Sequence, residues 1–254
     1  MIRKEDIIAD LHTHTIFSGH AYSTVKENID VARENGIKYL AITDHYNNDG
    51  TDLDKKNEIA RIAYVEEVNL AEDDITVIGG AEFNIGQEVN YNSKLSKIRW
   101  RPIGLHNWYV DTKNLTLDEL YMHFYRAIKN NHNAFAHIER ELHKIDGGKH
   151  KEVDSEVSMF LKMMVDIAKE KDILLELNES SLIADECNGV NRVLFWLRYA
   201  KENGNLIYLG TDAHYCKKVG IFTNAIDILN MVGYPKELIL NCNEELLKEK
   251  LNLR

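Results

Sequence analysis

Ile7-Ile8-Ala9-Asp10-Leu11-His12-Thr13-His14-Thr15 is the stretch on which the fold turns. Ile7 to Leu11 is short and apolar, which reads as a buried strand, and two imidazoles follow it two residues apart. Side chains at i and i+2 of an extended chain share a face, so His12 and His14 make half of a metal site. What the rest of the chain must supply is more of the same device: a short apolar strand delivering a ligating side chain at its C-terminal end.

Six further strands fit that description in whole or in part. Lys38–Thr43 runs into Asp44-His45, Ile75–Ala81 into Glu82, Pro102–Leu105 into His106, and Ala134–Ala136 into His137. Leu206–Leu209 runs into Gly210-Thr211-Asp212-Ala213-His214, while Ile173–Leu177 offers only Asn178-Glu179-Ser180-Ser181. Helical segments alternate with these strands. Thr24 and Glu27 have the spacing of a capping box, followed by Val25, Ile29 and Ala32 and stopped by Gly36. Ile59, Ile62, Ala63 and Leu70 mark a second helix, and Leu117–Ile128 a third. Val157, Phe160, Leu161, Met164 and Ala168 form the clearest amphipathic stripe; Val190, Val193, Leu194 and Leu197 give the next helix, and Ala225–Val232 the last. Gly86–Trp100 reads as loop or hairpin. Strand then helix, seven times and without a linker, predicts a single α/β domain over residues 1–254, with a parallel sheet inside and helices outside. A doubly wound open sheet would carry G-x-G-x-x-G at the start of a helix, and none is present. A TIM-like barrel places functional groups at the C-terminal ends of many strands, which is the pattern here.

The composition bounds the partners. A net charge of −10, from 41 acidic and 31 basic residues, argues against sequence-independent nucleic-acid binding but leaves room for a small phosphorylated substrate beside bound cations. No apolar run approaches the ~20 residues that span a bilayer, and the first residues lack the apolar core of a secretory signal. Three dispersed cysteines, Cys187, Cys216 and Cys242, suit free thiols, so the expected location is cytoplasmic, with no membrane partner. Oligomeric state is not legible from these features.

Six of the seven strands deliver a histidine or carboxylate to one end, and His20 lies in the loop after the first. Gathering such groups in a buried mouth is costly unless something positive sits among them, which points to divalent metal ions. His12-x-His14-x5-His20, Ile42-Thr43-Asp44-His45, Glu82, His106, His137 and Gly210-Thr211-Asp212-Ala213-His214 together resemble the PHP (polymerase and histidinol phosphatase) family. The likeness is strongest to its short stand-alone bacterial phosphoesterases, through Asp10–Thr15, His20–Thr24, Ala41–His45, Leu175–Ser181 and Leu209–His214. The resemblance implies a distorted (β/α)7 barrel holding three divalent ions, with Zn, Mn and Fe all suited to a mixed imidazole and carboxylate shell. It implies a first ion on His12, His14, Glu82 and Asp212, a second on Glu82, His106 and His137, and a third on His20, His45 and His214. Glu82 would bridge the first two, and a water between them would attack phosphorus as hydroxide. The residues implied to be catalytic are therefore Glu82, His12, His14 and Asp212. Three divalent ions against two carboxylates leave roughly +4, enough to draw a phosphate dianion into an acidic protein.

Substrate contacts are less marked. Arg140, just past His137, and Arg192 offer bidentate forks for phosphate, Lys217 and Lys218 follow His214, and Asn178 ends the strand that lacks a ligand. Asn178 equally suits a turn cap. Asp10 and Asp44 flank ligand positions and can orient them. His123 and His132 read as surface residues, His143 and His150 as solvated loop residues, and Arg99 and Arg101 as belonging to the opposite end of the strands. The expected activity is hydrolysis of a small-molecule phosphomonoester, with histidinol phosphate the first substrate to test. The alternatives are a phosphodiesterase or nucleotide phosphatase on the same site, a metal-dependent amidohydrolase, and a non-catalytic metal-binding module. The amidohydrolase reading lacks the strand-end lysine such sites lean on, and it has no use for His20 and His45.

Overall fold

The computed structural model describes residues 1–46, 68–69, 74–86, 98–106, 110–184 and 189–253. Most of the expected helix over 59–70 and most of the segment over 86–100 lie outside these residues, as does Cys187. Eight short strands are described, all paired in parallel. β1 (Ala9–Asp10), β2 (Tyr39–Ile42) and β3 (Thr76–Gly79) form one sheet in that order. β4 (Phe83–Asn84), β5 (Pro102–Gly104), β6 (Ala134–Phe135), β7 (Leu174–Asn178) and β8 (Ile207–Gly210) form the other, again in sequential order.

The expected third strand is divided in two, and Glu82 sits at the division. Gly80 lies so close to its surroundings that a Cβ there would stand 3.0 Å from Thr43 Cγ2 and 3.1 Å from the Trp100 backbone oxygen. The chain changes direction at this crowded point, and the Glu82 amide reaches across to the carbonyls of Thr43 and Asp44, both at 3.2 Å. The described strands therefore do not close into one continuous sheet. Two seams connect the sheets. On one side Thr13 bridges Ala213 in parallel, with the Asp212 amide donating to the His12 carbonyl at 2.8 Å and the His14 amide to Ala213 at 3.0 Å. On the other, Gly80 bridges Trp100 and His45 bridges Glu82. Both strands of the first seam end in candidate ligands, so the backbone that joins the sheets also brings those side chains together.

Helices cover the outside. Thr24 caps α1 (Val25–Glu34) in the predicted capping box with Glu27, and Thr116 and Glu119 repeat the device on α2 (Leu117–Lys129). α3 (Ser155–Glu170) buries the whole predicted stripe, Val157, Phe160, Leu161, Met164 and Ala168. The chain continues through α4 (Glu179–Ala184), α5 (Gly189–Asn203), α6 (Thr223–Val232) and α7 (Glu244–Leu251). Trp100 is fully buried between the sheets, donating its indole N–H to the Leu11 carbonyl at 2.7 Å and meeting Tyr208 edge-on. No helix among the described residues is long and apolar enough to cross a membrane.

Two histidines depart from expectation. His132 is buried, edge-on to Phe83 at 4.8 Å, because the turn after α2 folds it back under β5 instead of leaving it at the surface. His150 is buried too, and its carbonyl accepts a hydrogen bond from Arg192 at 2.6 Å. Arg99 and Arg101 do lie at the far end, donating to the carbonyls of Asn252 and Asn131.

Candidate metal centre

All nine expected ligand positions meet in one connected cluster at the strand ends. His12 Nε2 and His14 Nε2 stand 3.0 Å apart, the separation of two neighbouring donors on one ion. Asp212 Oδ1 lies 3.1 Å from His14 Nε2 and 3.7 Å from His12 Nε2. Glu82 occupies the middle. Its Oε1 faces His137 Nε2 at 2.8 Å and His106 Nε2 at 3.3 Å. Its Oε2 faces His45 Nδ1 at 3.0 Å, His12 Nε2 at 3.4 Å and His14 Nε2 at 3.5 Å. His20 and His214 meet at the outer edge, Nε2 to Nε2, at 2.8 Å. Among the described residues, three groups of side chains have donor atoms close enough to share an ion: His12 with His14 and Asp212, His45 with Glu82 and His106, and His14 with His45 and His214. His45 thus belongs to two of them, which the expected division did not foresee, since it paired His45 only with His20 and His214.

The backbone is bent to achieve this. Asp212 and His137 both have positive φ, at 53° and 28°, a conformation that costs a non-glycine residue of order 1–3 kcal/mol. Two glycines make room for the imidazoles. A Cβ on Gly210 would lie 2.2 Å from Glu176 Oε1 and 2.3 Å from His12 Cβ, and one on Gly104 would lie 2.7 Å from His137 Cε1. Neither position tolerates a side chain.

Glu176 is the residue the sequence reading passed over. It lies inside β7, fully buried, with Oε1 2.7 Å from His12 Nδ1 and Oε2 accepting the His137 amide at 3.0 Å. One carboxylate therefore fixes the ring of His12 and the backbone of His137. Its signal was present, since it is the lone charged side chain in an apolar strand, and such a charge needs a partner. His14 is held differently: its Nδ1 meets Ser18 Oγ at 2.9 Å, and Ser18 in turn donates to Asp44 at 2.6 Å. Asp44 thus acts on a ligand ring through a serine. Asp10 instead ties Thr211 and the Gly220 amide to β1.

The electrostatics ask for positive charge. Burial opposes ionisation of Glu82, but His106, His12 and His45 outweigh it and hold the carboxyl well below its usual range. Asp212 is likewise disfavoured by burial and held well below its range by His12, His14 and Arg140. Burial also works against a proton on His12, yet Glu176, Glu82 and Asp212 overcome it and push this imidazole well above its usual value. By contrast burial, foremost, lowers His106 to about 3 and His14 to about 4, keeping them in the neutral form that ligates metal. Three buried carboxylates face one guanidinium and a set of imidazoles, and divalent cations satisfy both kinds of donor at once.

The expected substrate contacts separate. Arg140 reaches the cluster, with Nη1 2.5 Å from Asp212 Oδ2 and its side chain 35% exposed. Arg192 does not: it is fully buried in α5 and donates to the carbonyls of Glu139, His150 and Lys151. It is a structural cation that ties loops together, because its helix turns it inward under the loop after β6. Asn178 Oδ1 accepts the Ser181 amide at 2.9 Å, as a turn cap does.

The model of the PHP domain matches residues 10–180, so the chain belongs to the PHP domain family. It is 29% identical to a probable phosphatase of Clostridium acetobutylicum over 97% of this chain and 95% of the relative. A probable phosphatase of Shewanella loihica is 28% identical, covering 97% of this chain and 94% of its own. The fold is similar to that of histidinol phosphate phosphatase from Lactococcus lactis, crystallised with zinc, L-histidinol and phosphate (TM-score 0.60, 18% identity, 89% of this chain and 94% of that one). It is also similar to the putative histidinol phosphatase of Listeria monocytogenes (TM-score 0.62, 15% identity, 84% and 97% covered).

Proposed function

We propose that this chain, a PHP-family hydrolase, cleaves a small-molecule phosphomonoester at the cluster centred on Glu82, with histidinol phosphate the first substrate to test. The observation that carries the reading is the division of Glu82, whose two oxygens face two separate sets of imidazoles as a bridging carboxylate must. Three divalent ions are the proposed occupants: one on His12, His14, Glu82 and Asp212, one on Glu82, His106 and His137, and one on His20, His45 and His214. Zinc, manganese or iron in these positions supplies Lewis acidity toward phosphoryl oxygens and acidifies coordinated water. The chain's own residues do the rest. Glu176 holds His12 with its Nε2 turned to the cluster, and Ser18 with Asp44 does the same for His14. Arg140 spends one N–H on Asp212 and has further donors at the partly exposed mouth for the ester's phosphoryl oxygens. The two seams between the sheets support a distorted seven-unit barrel formed by residues 1–254 as one domain.

A panel of phosphomonoesters, phosphodiesters and amides, assayed with and without chelator, tests this reading. Chelator-sensitive turnover confined to monoesters is the expected result. Faster turnover of diesters or amides would reassign the substrate, and chelator-insensitive turnover would overturn the proposal.

A further inference from the structure

β1 and β8 meet directly near the cluster but part at their other end. Toward the cluster the Leu11 amide donates to the Leu209 carbonyl at 3.2 Å, and Thr13 bridges Ala213. Away from it, residues 239–242 come between the two strands. Ile239 bridges Ile207 of β8 in parallel, and the Asn241 carbonyl accepts the Ile8 amide, next to β1, at 2.9 Å. Asn241 stands where the strands part. It is fully buried, and its side-chain amide holds both of them: Oδ1 accepts the Leu209 amide at 2.7 Å, while Nδ2 donates to the carbonyls of Ala9 at 2.8 Å and Leu209 at 2.9 Å. Both polar atoms of that amide are satisfied, and the two carbonyls fix which way it faces. The surroundings are apolar, with Leu240, Leu247 and Leu251 in one buried cluster with Ala9, Trp100 and Tyr208. An apolar side chain would suit such a place, whereas an amide bonded to two strands at once also sets their register and spacing.

We infer that Asn241 is a positioning residue for the ion placed on His12, His14 and Asp212. His12 lies three residues beyond Ala9, and Asp212 three beyond Leu209, so the spacing fixed at Asn241 is carried along two short segments to the donor atoms. Those three donors face one another across this seam, with His14 Nε2 3.1 Å from Asp212 Oδ1, whereas His45, Glu82 and His106 are presented by other strands. Metal–ligand bonds of about 2 Å tolerate little displacement, so a change where the strands part reaches this site first. The inference rests on the reading of the cluster as a metal centre and is independent of which ester is cleaved.

Titration of the metal-free protein with cobalt(II), followed by visible absorption and calorimetry below the thermal midpoint of every variant, tests it. Asp212→Asn marks the spectral component of this site by its loss. Asn241→Ala should weaken that component by about tenfold or more, the scale reached by removing a partner outside the ligands, and leave the other binding steps within about twofold. Asn241→Asp has nearly the same shape, but it sets a carboxylate against two carbonyls in place of a donor. It should weaken the same step even where Asn241→Ala fails to fold. Leu247→Ala is the control: it opens the same apolar end with the Asn241 amide in place, and should lower the thermal midpoint with every binding step kept. Unchanged affinity in the Asn241 variants, a loss spread evenly over all steps, or the same selective loss in Leu247→Ala would overturn the inference. Selective loss supports it even where wild type hydrolyses no phosphate ester, in which case only the proposed activity fails. Wild type that binds no cobalt overturns both.

Discussion

At the scale of single residues, Glu82 and Glu176 divide the work between holding charge and holding geometry. Glu82 touches five imidazoles through two oxygens, so removing it dismantles several contacts at once. Glu82→Ala and His45→Ala should each lower turnover by more than about 100-fold, beyond the range reached by losing an outer partner, while circular dichroism shows the fold retained. Glu176→Gln removes a charge from the His12 ring while keeping the side chain's shape. Titration with metal should show affinity weakened by about 10–100-fold, with little change in the thermal midpoint of the metal-free protein. Glu82 was legible because it stands alone at the end of an apolar strand. Glu176 was harder to see because it lies two positions before the strand end, where alternation hides which face a side chain takes until the neighbouring strands are placed.

At the scale of elements, the turns and helices behind the strands set the stability. His132 sits between α2 and β6, and burial lowers its imidazole from the ordinary 6.5 to about 4. The unfolded chain takes up this proton below about pH 6.5, but the folded one does so only near pH 4, so folding stability falls as pH drops through that window. The effect reaches up to about 3 kcal/mol, and His132→Gln should flatten the pH dependence of urea midpoints across the same window. Arg192 anchors α5 to three carbonyls of the loop that carries Glu139 and His150. Arg192→Leu should cost about 3 kcal/mol in denaturant unfolding, since buried carbonyls lose their charged donor. The helices themselves were legible from their caps and stripes: Thr24 with Glu27, and Val157 through Ala168, stand where their spacing put them. The burial of Arg192, His132 and His150 was not, because a polar residue's environment depends on which loop folds over it, and no local pattern carries that information.

At the scale of the whole molecule, two parallel sheets joined by seams hold buried carboxylates and imidazoles in a chain that already carries −10. The alternation of strand and helix could be read from apolar runs ending in His, Glu or Asp, and so could the convergence of those ends. The division of the third strand could not, because it comes from contact of Gly80 with Thr43 and Trp100, residues distant in sequence. Metal bound to such a cluster is coupled to folding, so chelation should lower the thermal midpoint and divalent cations should restore it with the logarithm of their concentration over Kd. The central claim is that phosphoester hydrolysis depends on metal held around Glu82. Elemental analysis and phosphomonoester turnover, measured together on wild type and Glu82→Ala after chelation and reloading, test it most directly. The account predicts that wild type loses both metal and turnover and regains both, while Glu82→Ala recovers neither full metal content nor turnover. Undiminished turnover in chelated wild type, or in reloaded Glu82→Ala, would contradict it.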